Sequence, residues 1–351
     1  MSQSGLDSKI DFNAPLDETQ LEGKRVLITG GASGIGAGCA RLFVTHGAHV
    51  IIADMNEELG MTVVKGLQGL KGTIHFVSVD VTSFTSQKSM FAKSLTLLPG
   101  SEIDVLIPCA VIMGGFWDST PQPSSSLTSI DPSTSAIEPP TKGLQVGLLG
   151  TYHSALLCAK YCMGLHQYTS STNTASKSLS SSSPSSIPQT QTQTSSKSQR
   201  SVVAPLRFDK TIILIGSLAS YGSLPGSPEY TAMKWGARGL FRSLRVELLK
   251  TGVRVHMLAP TFVETPMTVG IVPELRRKGM RFASVESVAG VVGRLVGERD
   301  VNGRALAIMP DEVVDLCDDH EGKNSGTVWD ELTKKGLLTV PPRFDVPRAH
   351  I

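Results

Sequence analysis

The sequence is poor in several features that would place it in a class at once. Aromatic residues make up 5% of the chain and the formal net charge is only +2. Its basic residues are scattered rather than striped, which argues against a nucleic-acid partner or an anionic membrane surface. No run of about 18 apolar residues occurs, so no membrane span is expected. The five cysteines (Cys39, Cys109, Cys158, Cys162 and Cys317) are odd in number and contain no CxxC pair. A disulfide scaffold or a zinc site is therefore not expected, and a reducing, cytoplasmic setting is. Four of the five lie in apolar runs, where a free thiol behaves as a small hydrophobe. The eight histidines show no HExxH spacing, and no metal site is expected. The opening MSQSGLDSKIDFNAPLDETQ is polar, with no basic start leading into an apolar stretch, and does not read as a secretory signal.

What is present is an alternation. With 40% hydrophobic and 18% charged residues over 351 positions, the chain is ordinary for a globular protein of one large domain or two smaller ones. Short β-branched runs at Arg25–Ile28, Val50–Ala53, Thr73–Val79, Val105–Ile107, Thr211–Ile215, Arg254–Leu258 and Ala305–Ile308 are expected strands. Between them, Ile35–His46, Glu57–Leu67, Ser86–Leu97, Gly143–Leu165, Tyr230–Thr251 and Val285–Leu295 are expected helices. Such alternation predicts an α/β fold: a doubly wound parallel sheet with helices on both faces. One domain is expected over residues 21–310, after an extension at 1–20 and before a tail at 311–351 that either covers a pocket or contacts another subunit. Asp118–Thr141, rich in Pro, Ser and Thr, reads as a loop. Residues 168–200 are low-complexity Ser, Thr and Gln and read as a disordered insertion, since they offer too little apolar area to offset ordering entropy.

The first strand runs straight into Thr29-Gly30-Gly31-Ala32-Ser33-Gly34-Ile35-Gly36 and then a helix. Gly30, Gly34 and Gly36 suit a turn whose backbone closely approaches a pyrophosphate, with Ser33 and Ile35 in the same loop. The following helix offers unpaired N–H groups and a positive dipole end to that anion. Glycines also serve ordinary tight turns; the strand before, the helix after and an acid further on give these their meaning. That acid is Asp54, ending the second strand, where a carboxylate can accept from the diol of an adenosine ribose and repel a 2′-phosphate. With no Lys or Arg at Ala32-Ser33, and Met55 after the acid, NAD is expected ahead of NADP.

Further on, Thr211–Ile215 is expected to bring Ser217 to the carboxyl end of a buried strand. Tyr230 follows after thirteen residues and Lys234 four later. Positions i and i+4 share a helix face, so a phenol and an ammonium can meet. A cation there would lower the phenol's pKa and make it a general base near neutrality, with Ser217 holding the substrate oxygen. The same spacing also occurs on solvated helix faces.

Taken together, TGGASGIG, Asp54, Asp80-Val81, the serine thirteen residues before YTAMK and the later RVHMLAPTFVETPM resemble the short-chain dehydrogenase/reductase family over about residues 21–310. The resemblance implies a Rossmann-like sheet with Ser217, Tyr230 and Lys234 as catalytic residues, Lys234 and Tyr230 also touching the cofactor. It implies that Asp80 and Val81 contact adenine, that Val263 and Thr265 hold the carboxamide of the nicotinamide, and that Ala110 lies along the cofactor. It also implies a homodimer or homotetramer paired through the helices at Gly143–Leu165 and Tyr230–Thr251. The fine pattern is nearest to fungal secondary-metabolism and hydroxyprostaglandin-dehydrogenase-like members, implying oxidation of a secondary alcohol, or reduction of its ketone, on a lipophilic small molecule.

Three departures stand out. The family's Asn-Asn-Ala-Gly is Pro108-Cys109-Ala110-Val111 here, its Pro-Gly is Pro260-Thr261, and the asparagine of its proton relay falls on Gly147. These leave open a protein that keeps the nucleotide but performs a non-redox step or has lost activity, or one whose insertion recruits partners. Pro266–Phe282 is expected to cover the nicotinamide, with Arg276, Arg277, Lys278 and Arg281 on a solvated helix face.

Overall fold

Alternation along the strands decides the architecture, because successive side chains in a strand point to opposite faces. The computed structural model describes residues 10–12, 16–114, 141–163 and 209–316. Eight strands, β1 (Arg25–Thr29), β2 (His49–Asp54), β3 (Thr73–Ser78), β4 (Val105–Pro108), β5 (Lys210–Ile215), β6 (Val253–Pro260), β7 (Ala305–Ile308) and β8 (Val313–Asp315), form one sheet in the order β3-β2-β1-β4-β5-β6-β7-β8. On β1, Leu27 enters one apolar core while Val26 and Ile28 enter the other; on β5, Ile212 and Leu214 face the first and Ile213 the second. The helices α1 (Gly34–Thr45) and α2 (Glu57–Leu67) cover the second core. The first is covered by α3 (Phe84–Leu97), α4 (Gly150–Leu157) and α5 (Pro228–Glu247). After a short helix α6 (Val272–Arg277), α7 (Val285–Gly297) returns to the second core. Strands buried on both faces read as continuous apolar runs, which is why the sequence shows them clearly.

The parallel pairings run from β3 through β7, as the alternation predicts. β8, which pairs antiparallel with β7, was not expected. The sheet therefore extends past residue 310 into the expected tail, where Leu316 is buried. At the other end, Ile10, Phe12 and Leu16 pack against the core and Leu21 is fully buried, so part of the expected extension belongs to the domain.

The long helix expected at Gly143–Leu165 is α4 flanked by π-helical turns, Leu144–Leu149 and Cys158–Cys162. The helix expected from Tyr230 starts at Pro228, since proline suits the first helical position. A 3-10 turn at Leu248–Thr251 continues it, closed by Gly252 at φ +78°. The segment Pro266–Phe282, expected as a cover, contains α6; the basic cluster there reads as a helix face, but six residues carry too little periodicity for the sequence to give the helix its bounds. The insertion at 168–200, most of Asp118–Thr141, Cys317 and the rest of the tail lie outside the described residues. No described helix is long and apolar enough to cross a membrane.

Candidate active site

The chain winds outward from β1 through β2 to β3, then returns to β4 and winds the other way, so a crevice opens beyond the carboxyl ends of β1 and β4. A cleft of about 330 Å³ lies there, within the range of small-molecule sites. Gly30 leaves β1 at φ +67°, and a Cβ on it would stand 2.6 Å from the backbone nitrogen of Ala110 beyond β4. The two loops meet only because that side chain is missing. Gly36 is equally constrained, its would-be Cβ falling 2.2 Å from the Gly30 carbonyl oxygen. The first turn of α1 can thus sit on the strand end. Ser33, the N-cap of α1, makes no capping hydrogen bond with its side chain, and no acid stands in the first turn. The amides of that turn are left for an anion.

Gly30, Ser33, Gly34, Ile35 and Gly36 line this cleft, with Asp54, Asp80, Val81, Ala110 and Thr265 around them. Asp54 is fixed at both oxygens: Oδ2 accepts from the Ala32 N–H at 3.1 Å and Oδ1 from the Asn56 N–H at 3.0 Å. Its remaining acceptor capacity faces the cleft. Asp80 Oδ1 accepts from the Thr82 hydroxyl at 2.7 Å and from the Thr82 N–H at 2.9 Å, and these bonds hold its carboxyl below the usual range. These residues fit an adenosine diphosphate: close-approach backbone, unpaired amides and an anchored carboxylate that could accept from a ribose diol. Val263 does not line the cleft. Its side chain is buried, and its carbonyl accepts from the Thr268 hydroxyl at 2.6 Å.

Ser217, Tyr230 and Lys234 stand beyond the end of β5 marked by Ile215, which itself lines the cleft. Ser217 caps a 3-10 turn, Leu218–Ser220: its Oγ accepts from the Ala219 N–H at 3.1 Å, while the Ser220 hydroxyl oxygen accepts from the Ser217 N–H at 3.3 Å. That reciprocal capping box fixes the serine's position. Lys234, fully inside on α5, donates from Nζ to the Ile215 carbonyl at 2.8 Å and stands 5.5 Å from the centre of the Tyr230 ring. Burial lowers its pKa to about 8.

The expected low-pKa phenol is not what the structure shows. Burial pushes the Tyr230 hydroxyl up from its ordinary value, and the hydrogen bond with Ser217 counters only part of this. The ammonium meant to stabilise a phenolate is held by a backbone carbonyl instead. Without cofactor, then, the phenol keeps its proton at neutral pH.

Gly147, at the relay position, is buried in the π-helical turn before α4, and the sulfur of Met233 takes its side-chain space, 2.0 Å from where a Cβ would be. Thr151 Oγ1 also donates to the Gly147 carbonyl at 2.8 Å. Two neighbours of the site escaped sequence reading. Lys142 lines the cleft, and its charge acts on Asp80. Glu229 is buried just before Tyr230. Lys142 ends a Pro/Ser/Thr-rich stretch with no periodicity, and nothing local marks Glu229 as buried. The basic cluster is on the surface as expected, and there it is paired: Arg276 with Glu264 at 2.8 Å, Lys278 with Glu274 at 3.1 Å, and Arg277 with Glu274.

A family model for the short chain dehydrogenase matches residues 24–137 and 206–276. The chain belongs to the short-chain dehydrogenase family. Among relatives of this dehydrogenase is the 5'-hydroxyaverantin dehydrogenase of Dothistroma septosporum, 31% identical over 92% of this chain and 94% of that protein. An NADP-dependent dehydrogenase of Cochliobolus lunatus is 31% identical over 73% of this chain and 77% of its own. The crystal structure of levodione reductase, 19% identical, superimposes with a TM-score of 0.60 over 82% of this chain and 97% of that one. At that identity the likeness bears on the fold of this dehydrogenase alone.

Proposed function

We propose that this oxidoreductase interconverts a secondary alcohol and a ketone on a lipophilic small molecule of secondary metabolism, with NAD(H) as its cofactor. The observation that carries the reading is the convergence of Ser217, Tyr230 and Lys234 just beyond the cleft that holds the glycine turn and Asp54. A bound nicotinamide would supply the hydride chemistry. The protein's own part is orientation and proton control. Ser217 is held by its capping box to offer its hydroxyl to the substrate oxygen. Tyr230 carries the proton that the oxygen gains in reduction or loses in oxidation. Lys234 supplies a positive charge beside the ring. Because the phenol is protonated in the free protein, reduction of a ketone needs no prior ionisation, whereas oxidation first requires the proton to leave Tyr230.

Selection of NAD rests on Asp54. An anchored carboxylate at the ribose end repels a 2′-phosphate, and Lys142, the one cation among the described residues lining the cleft, sits by Asp80 instead. The kinship with an NADP-dependent relative makes direct comparison of both cofactors the necessary test. Met267 and Pro266 line the cleft at the substrate end and Val269 is exposed beside them, which supports an apolar substrate.

Purified protein should oxidise or reduce one of a panel of hydrophobic alcohols and ketones, more efficiently with NAD(H) than with NADP(H). Tyr230→Phe should abolish turnover while leaving NADH binding intact; equal turnover by both proteins would end the reading. A second reading, nucleotide binding with a non-redox step, is favoured by one feature, the Met233 sulfur filling the Gly147 position. Conversion of substrate with no change in NADH absorbance would select it. Exposed Tyr152 on α4 and Leu149 and Tyr161 in its flanking turns, together with Trp235 and Val246 on α5, support pairing of these helices with a second copy. A solution mass of one chain would refute that.

A further inference from the structure

Glu229 immediately precedes Tyr230 in the first turn of α5, yet only 9% of its surface is exposed. A carboxylate so placed needs partners. Its Oε1 accepts from the N–H of Gly143 at 2.7 Å and of Leu144 at 3.3 Å, the first amides of the helical run leading into α4. Its Oε2 is buried without a hydrogen-bond partner among the described residues. Two glycines make room for it. A Cβ on Gly114 (φ +73°) would lie 2.3 Å from Oε2, and one on Gly143 would lie 2.9 Å from Oε1. Three pieces of backbone therefore converge on one carboxylate: the chain beyond β4, the approach to α4, and the start of the helix that carries Tyr230 and Lys234.

The carboxylate does not itself line the cleft, but its clients' neighbours do. Lys142 directly precedes Gly143, Val146 follows two residues after Leu144, and Ile112 comes two residues before Gly114; all three line the cleft. Lys142 is exposed, within electrostatic reach of Asp80, and lines the same cleft as Ser33, Gly34, Ile35 and Gly36. A cation at the mouth of a cleft raises its affinity for anions, in a manner that salt screens.

We propose that Glu229 is a positioning residue that anchors the cleft wall bearing Lys142, and that Lys142 thereby offers a positive charge to the anionic half of a bound dinucleotide. This rests on the reading that the cleft binds NAD(H). Glu229 differs in kind from Tyr230: it acts through the Gly143 and Leu144 amides and touches no reacting atom.

The test titrates NADH, ADP and uncharged adenosine into full-length wild type, Lys142→Ala, Glu229→Ala, Glu229→Gln and the double alanine variant, at low and high salt, with melting temperatures alongside. Lys142→Ala should weaken NADH and ADP by about fivefold at low salt, leave adenosine unchanged and flatten the salt dependence. Glu229→Ala should weaken the same two ligands, and adding it to Lys142→Ala should cost less than about twofold more, because both act on one contact. Glu229→Gln keeps a carbonyl for the Gly143 N–H and should restore most of the affinity. A Glu229→Ala protein that melts earlier but binds NADH with wild-type affinity and salt dependence would overturn the clamp. So would multiplicative losses in the double variant. If Glu229→Ala fails to fold, Lys142→Ala decides: NADH affinity equal to wild type at low salt sinks the proposal. Wild type that binds neither NADH nor NADPH removes the cofactor reading and the clamp with it, an outcome distinct from normal NADH binding with indifferent variants.

Discussion

Replacing Lys234 by methionine separates the cost of the site from its use. The side chain is 4% exposed, and its pKa falls from the ordinary 10.5 to about 8 because burial disfavours the ammonium, with Cys109 opposing weakly. At about 1.4 kcal/mol per pH unit, that gap means folding disfavours the charged lysine by about 3 kcal/mol. A depressed lysine pKa means that the unfolded chain binds more protons between pH 8 and 10.5. The penalty is thus present in full below pH 8 and fades as pH rises towards 10.5. Methionine removes it, but the Ile215 carbonyl loses the donor now at 2.8 Å, a loss of about 1–3 kcal/mol. The net expectation for cofactor-free protein at pH 7 is a gain of about 1 kcal/mol, or roughly 2–4 °C in melting temperature. Near pH 10 only the unpaired carbonyl remains, and the variant should be the less stable of the two. Thermal melts of both proteins from pH 7 to pH 10 measure this, with turnover checked in parallel and expected to be lost in the variant. A stability difference that stays constant across that range would refute the idea that a buried ammonium sits there.

Arg254, 1% exposed, donates to the Leu295, Glu298 and Val296 carbonyls at 2.6, 2.9 and 3.0 Å, closing the end of α7. Arg254→Met should destabilise the fold by about 3 kcal/mol or more, because several buried acceptors lose their donor; urea melts would show the loss, and a variant within 1 kcal/mol of wild type would count against it. Gly147→Asn should lower stability by about 1–3 kcal/mol through overpacking on Met233, and Met233→Ala in the same chain should recover part of that, a non-additivity that a double-mutant cycle in denaturant would measure.

Local physics carried much of the molecule. Strands such as Val50–Ala53 and Thr211–Ile215 are runs of β-branched residues, because both faces of the sheet are buried, and the strand, glycine turn and helix from Arg25 onward read off directly. Asp54 was legible as the acid ending β2, since a strand end facing a crevice is a place in the sequence as much as in space. Ser217, Tyr230 and Lys234 were legible as a spacing on one strand end and one helix. What that spacing could not show was the sign of the tyrosine's shift. It depends on how much protein surrounds the ring and on which acceptor takes the lysine, here the Ile215 carbonyl nineteen residues away in sequence.

The sequence by itself determined the order of elements, the glycine positions where backbone must touch backbone, and the spacing that groups Ser217, Tyr230 and Lys234. Each of these follows from local sterics or from a period of two or 3.6 residues. Tertiary structure alone decided that Met233 occupies the space at Gly147, that Glu229 ties Gly143 and Leu144 to α5, that Lys142 lines the cleft, and that β8 closes the sheet in the opposite direction. Those depend on contacts between segments tens of residues apart, or on an edge pairing only three residues long. No local pattern encodes them, because burial and charge proximity are properties of the packed chain.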